Sequence, residues 1–205
     1  MADGTTTVLA GIGLLALAVA LGAQVALHLL PTGYQPVRDA VSDYGVGRYR
    51  AGYQVMCVAL GCSAAVLAAG FARDAGLSHG RGLLWLAVFA MSRALIAGFP
   101  TDLPGAPRTA AGGLHVLLAV VMFGSFTAAA STLPGELGGA PGWHQRADVL
   151  HLIGTAVQAT LIATAVALLV PAVRRRVFGL VERALYVAIF GWLAVAGIDL
   201  IALHS

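Results

Sequence analysis

The residues able to do chemistry are few, and most gather where one set of loops meets the apolar blocks. Gln24 and His28 are one helical turn apart, so they share a face. A polar segment follows, GYQPVRDAVSDYG from Gly33 to Gly45. Within it Asp39 and Asp43 are four residues apart, as are Val37 and Val41. Arg93 stands inside an apolar block that Phe99-Pro100-Thr101-Asp102 closes. His115 opens the next block, and Glu182 and Arg183 open the last. Charge at or inside a membrane edge is costly, so these residues are functional candidates. Asp43, Asp102 and Glu182 are the candidate general acids or bases, because burial near hydrocarbon moves a carboxyl toward a useful range. Gln24, His28, Arg38, Asp39, Ser42, Tyr44, Arg93, His115 and Arg183 are the candidate binding residues.

Arg93 has two readings. It pairs with a loop carboxylate such as Asp102, Asp43 or Glu182, or it binds an anionic headgroup through its planar fork of donors. A cyclase acting on an isoprenoid needs one acid and an apolar cavity. A hydrolase needs a nucleophile, and Ser42 beside Asp43 lacks a nucleophile-elbow pattern. The His residues have no HxxxH or HExxH spacing, so neither a metal site nor a cofactor is expected. Cys57 and Cys62 face different directions on one helix and form no CxxC pair. The opposite end carries Arg73, Asp74, His79, His144, Arg146, Asp148, His151, Asp199 and His204. That set reads as interfacial charge, with Asp199 pairing Arg73, Arg81 or Arg146. Trp143 and Trp85 read as interfacial anchors, Trp192 as deeper.

The elements that must position these residues are membrane helices. Of 205 residues, 59% are hydrophobic and 10% charged, against about 25% charged in soluble domains. Mean hydropathy is +0.87. A soluble globular domain, a nucleic-acid binder and a disordered tail are excluded. Six segments match the roughly 20 residues that cross a bilayer: 8–30, 52–72, 82–99, 112–133, 149–172 and 184–203. Backbone groups in lipid must be satisfied internally, and the runs do not alternate, so the spans are helices and not a barrel. The expectation is all-α: one membrane domain over 1–205, a six-helix bundle. Met1 to Thr7 carry no positive charge, so the first span reads as a retained helix rather than a leader. Pro36 to Gly45 reads as a short helix that lies at the interface or folds back over the bundle mouth as a lid, or else as a plain capped turn in which Asp43 accepts backbone hydrogen bonds. No internal repeat is evident, and the polar residues at mid-depth are few, Arg93 and Gln158. A small transporter is therefore the weakest reading.

All twelve basic residues are Arg. Eight lie on the side of loops 1, 3 and 5 (31–51, 100–111 and 173–183), and three on the side of loops 2 and 4 (73–81 and 134–148). The positive-inside rule places loops 1, 3 and 5 in the cytoplasm and both termini outside.

The segment Tyr34 to Gly45, Phe99-Pro100-Thr101-Asp102 with His115, and Gly179-Leu180-Val181-Glu182-Arg183 with Trp192 resemble, over nearly the whole chain, the bacterial membrane family known as domain of unknown function 998. A fainter likeness is to the DRAM and GPI-lipid-remodelling families: six helices, a Ser-Asp first loop and a His opening the fourth span. The resemblance implies a multi-pass protein of the bacterial inner (plasma) membrane without an established activity. The fainter likeness implies lipid handling and a cytoplasmic N-terminus. The expectation is binding of a membrane lipid, or another amphiphilic or isoprenoid ligand, at the loop 1/3/5 mouth, with no nucleic-acid partner. The alternative is an intramembrane enzyme acting on a lipid or isoprenoid. Oligomeric state is left open by the sequence.

Overall fold

The computed structural model describes residues 4–74 and 80–204. His79 lies outside the described residues. Six helices follow in order: α1 Gly4–Leu29, α2 Arg50–Asp74, α3 Arg81–Leu95, α4 Ala110–Leu137, α5 His144–Leu169 and α6 Pro171–Ala202. A 3-10 turn at Ile96–Gly98 extends α3, and another at Val41–Gly45 lies in loop 1. There is no strand among the described residues. All six helices, α3 with its extension, are long and apolar enough to cross a membrane.

Each helix packs on the next, and α6 returns to α1. α2 also touches α6, which makes these two the most buried spans. Close approach is set by small residues. At Gly61 a Cβ would lie 2.7 Å from the Ala90 carbonyl oxygen, so α2 and α3 meet backbone to backbone there. Aromatic rings fill the remaining core. Phe126 meets Phe89 at 4.7 Å and Trp192 at 5.6 Å between ring centres. The Trp192 indole N–H donates to the Leu150 carbonyl, 3.1 Å, which ties α6 to α5.

Several boundaries differ from the sequence reading. α6 starts at Pro171, not near residue 184, and only Val170 separates it from α5. Pro171 sits in the first turn, where its missing N–H costs nothing. A span read from hydropathy ends where charge begins, but Arg is a good helix former, so the helix runs on through Arg174–Arg176. α4 likewise passes through Pro134 to Leu137, which shortens loop 4. The short helix expected from Pro36 is only the turn Val41–Gly45. Trp143 is 1% exposed rather than an interfacial anchor, with its N–H donating to Asp74 Oδ2 at 2.6 Å.

Candidate functional site

Loop 1 folds back over the end of the bundle and is held there by α6. Arg183 is the centre of the contact. Its Nε–H donates to His28 Nε2, 2.6 Å, and Nη1–H donates to the carbonyls of Asp39, 2.8 Å, and Gly179, 2.9 Å. Nη2–H reaches the Tyr44 hydroxyl at 3.3 Å. The other ring nitrogen of His28, Nδ1, donates to the Gln24 carbonyl at 2.6 Å. α1, loop 1 and α6 are thus joined through one guanidinium. The backbone adds a bond, Leu180 N–H to Val37 O, 2.9 Å. Loop 1 lies against α6 at Gly179, where any Cβ would strike the carbonyls of Asp39 and Pro36.

The carboxylates turn to the backbone. Glu182, 5% exposed, accepts from Val41 N–H at 2.8 Å. Asp43 accepts from Ala40 N–H, 3.0 Å, and Asp39 from Gln35 N–H, 2.6 Å. Asp102 accepts from Thr109 N–H and Oγ1–H, 2.9 and 2.8 Å, and Thr109 in turn caps α4 at Gly112. Burial raises the Asp43 carboxyl above its usual range, opposed by the Ala40 bond. The two Thr109 bonds hold Asp102 below it. Burial, then Asp43 and Asp39, push the Tyr34 phenol up.

Arg93 sits deeper, between α2, α3, α4 and α6, and is 0% exposed. The expected carboxylate partner is not there. Its Nη1 contacts Met122 Sδ at 3.6 Å, while Nε and Nη2 have no hydrogen-bond partner among the described residues. Two rings lie against it instead, Tyr186 at 5.2 Å and Tyr53 at 5.9 Å. Tyr53 is also the residue on which Gly45 of loop 1 rests, with a Cβ at Gly45 falling 2.8 Å from that ring. Loop 1 therefore closes the bundle directly above the Arg93 neighbourhood.

The structure joins His28, Tyr44 and Arg183 with the carbonyls of Gln24 and Asp39 into one network, and Glu182 holds the neighbouring Val41 N–H. Ser42 is half-buried in the same turn, but no histidine among the described residues bonds to it: His28 serves Gln24 and Arg183, and the His115 Nδ1–H donates to Phe99 O at 2.7 Å. Arg38 points to solvent, and Asp102 is engaged at the α4 cap, outside the network. Among the described residues no cluster of His, Cys, Asp or Glu is arranged to hold a metal. A cavity of about 260 Å³ opens in loop 1, lined in part by Tyr34, Tyr44, Arg48 and Tyr49.

Sequence reasoning missed Tyr53, Tyr186 and Met122, because apolar and aromatic neighbours of a buried cation look like ordinary core. Tyr186 follows Glu182 by one turn on the same face, which was the available signal. It also missed Glu136, which accepts from the first N–H groups of α3 at Arg81 and Gly82, 2.9 and 3.1 Å. The opposite end behaves as expected of interfacial charge. Arg146 pairs with Asp199 at 2.6 Å, and Asp74 takes His204 Nε2 at 2.8 Å.

No curated protein and no solved structure matches the chain. A family model covers residues 7–199, almost the full length, and by that match the chain belongs to the family described as protein of unknown function, DUF998.

Proposed function

We propose that this protein binds a membrane amphiphile at the loop 1 end of the bundle, its headgroup beneath loop 1 and its tail in the hydrocarbon. One observation carries the reading: a fully buried guanidinium, Arg93, is left without a carboxylate partner under a polar loop. Leaving buried donors unmade is expensive, so such a group points to a binding role. The loop 1 cavity and its tyrosines supply an amphipathic entrance.

The test is saturable photolabelling in reconstituted bilayers, using an amphiphile with a diazirine near its headgroup. Peptides containing Tyr53, Arg93 or Tyr186 should be labelled, and excess unlabelled amphiphile should suppress the signal. Labelling confined to lipid-facing residues such as Leu15 and Leu152, without saturation, refutes the reading.

A second reading, an intramembrane acid–base enzyme, is favoured by Glu182. It is a buried carboxylate lying just below the loop and is held by a single backbone N–H at Oε2. On that reading Glu182→Gln abolishes turnover of the bound lipid or isoprenoid while leaving its retention unchanged.

A further inference from the structure

We infer that the headgroup received here is an oxyanion, a carboxylate or a phosphate, gripped side-on by Nε and Nη2 of Arg93. The inference rests on the reading that an amphiphile enters at this end, and it names the chemistry of the head.

The three nitrogens of Arg93 are not used alike. Nη1 is turned to Met122 Sδ, a weak acceptor, at 3.6 Å. The two without a partner, Nε and Nη2, share one edge of the guanidinium. The N–H bonds on that edge run parallel, at the spacing of two oxygens on one carboxylate or phosphate. The free edge is therefore a bidentate fork. The rings of Tyr186 and Tyr53 lie against the guanidinium and stabilise the cation. Their hydroxyls are further potential donors to an oxyanion. These groups come from three helices, α2, α3 and α6, so the arrangement belongs to the bundle and not to one segment.

The acids at this end do not compete for the fork. Glu182 is the buried carboxylate one turn from Tyr186, and its Oε2 is bonded to Val41 N–H. Asp43 is bonded to Ala40 N–H, and Asp102 to Thr109. His115 turns its Nδ1 to Phe99 O. A quaternary ammonium offers these N–H groups no acceptor, and an uncharged polyol accepts from them without neutralising the buried charge. Depth also fits. Arg93 is twelve residues from the start of α3, about 18 Å along the helix, and within two turns of its loop 3 end. A headgroup at that level leaves its tail in hydrocarbon.

The test uses full-length protein in nanodiscs and native mass spectrometry. The probes are a medium-chain fatty acid, a lysophosphatidic acid, the matching fatty alcohol and monoacylglycerol, inorganic phosphate and acetate. Wild type should bind both acidic amphiphiles, and the neutral ones at least about tenfold more weakly. Arg93→Gln should lose roughly a hundredfold in affinity for the acids, and little for the neutral probes. Arg93→Lys keeps the buried charge and so guards against a folding defect. It should still lose about tenfold, because an ammonium lacks the fork. Glu182→Gln should bind the acids at least as well as wild type. Equal binding of acidic and neutral amphiphiles, or acid binding that survives Arg93→Gln, overturns the inference and leaves the amphiphile reading standing. A loss in Glu182→Gln equal to that in Arg93→Gln also overturns it, since Arg93 would then serve Glu182. If wild type binds inorganic phosphate or acetate as tightly as the acidic amphiphiles, the oxyanion site stands and the amphiphile reading fails. If wild type binds no probe, both fail.

Discussion

Asp43 and Asp102 are both loop carboxylates held by amide donors, yet their surroundings push them in opposite directions. Asp43 is buried in the loop 1 turn and titrates above the usual carboxyl range, chiefly through loss of water. The folded chain thus holds that proton more tightly than the unfolded chain. Its contribution to loop 1 closure is complete at low pH and is lost as pH rises through the raised value. Asp102 is stabilised in its charged form by Thr109 and titrates low. Its contribution is present above the usual carboxyl range and is lost as pH falls through the lowered value. Hydrogen exchange of loop 1 peptides, corrected for the intrinsic rate, should therefore show protection that weakens as pH rises above the ordinary carboxyl value of about 4. Asp43→Asn should flatten that trend, and Asp102→Asn should leave it intact. An unchanged trend in Asp43→Asn excludes Asp43 as its source. Residue types and spacing in the sequence were enough to nominate both aspartates and Arg93. Their partners were not legible, because whether Arg93 faces Glu182 or two tyrosine rings depends on rotation of three helices about their axes. Periodicity fixes such rotations only to within a face.

The contact between loop 1 and α6 is where helix boundaries matter most. A sixth helix beginning near residue 184 leaves Gly179 in a loop and Arg183 at a terminus. In the fold both lie well inside a continuous helix, so their side-chain directions are fixed, and loop 1 has a rigid surface to rest on. The six spans were legible because lipid permits only helices or closed barrels, and long apolar runs without alternation select helices. The start of α6 was not, because charged residues end a hydropathy window without ending a helix. Two substitutions test the contact separately. Arg183→Ala removes the donors to His28, Asp39 O and Tyr44, each such charged bond contributing about 1.5–3 kcal/mol when well formed. Gly179→Val places a side chain where the carbonyls of Asp39 and Pro36 now lie. Both should speed proteolysis between residues 34 and 46 while circular dichroism reports unchanged helix content. Unchanged cleavage in both variants would mean that other contacts, such as Gly45 on Tyr53 and the Val41 N–H on Glu182, hold the loop.

For the molecule as a whole, the length of α6 and the distribution of Arg bear on the same question, which side of the membrane receives the headgroup. Thirty-two residues make a helix of about 48 Å, against about 30 Å of hydrocarbon. If the C-terminal end of α6 fills the bilayer, its first dozen residues, with Arg174–Arg176, stand beyond it on the loop 1 side. An Arg count is corrupted by Arg residues that serve the fold, and the structure identifies these. Arg183 holds loop 1 and Arg146 pairs with Asp199, so neither is a free topological signal. Of the exposed Arg, seven remain on the loop 1 side: Arg38, Arg48, Arg50, Arg108 and Arg174–Arg176. On the other side Arg73 and Arg81 are exposed. The bias survives the correction, and the expected orientation has loop 1 in the cytoplasm and both termini outside. In a background without Cys57 and Cys62, single cysteines can be placed at two exposed positions, Ala106→Cys on the loop 1 side and Gly139→Cys on the other. An impermeant maleimide applied to intact cells should label Gly139→Cys and reach Ala106→Cys only after permeabilisation. That result has the mouth draw its amphiphile from the cytoplasmic leaflet, where fatty acids and phosphate monoester lipids would approach Arg93 head first. The reverse labelling turns the mouth to the outer leaflet, and shows that the exposed Arg of loop 1 are retained for something other than topology.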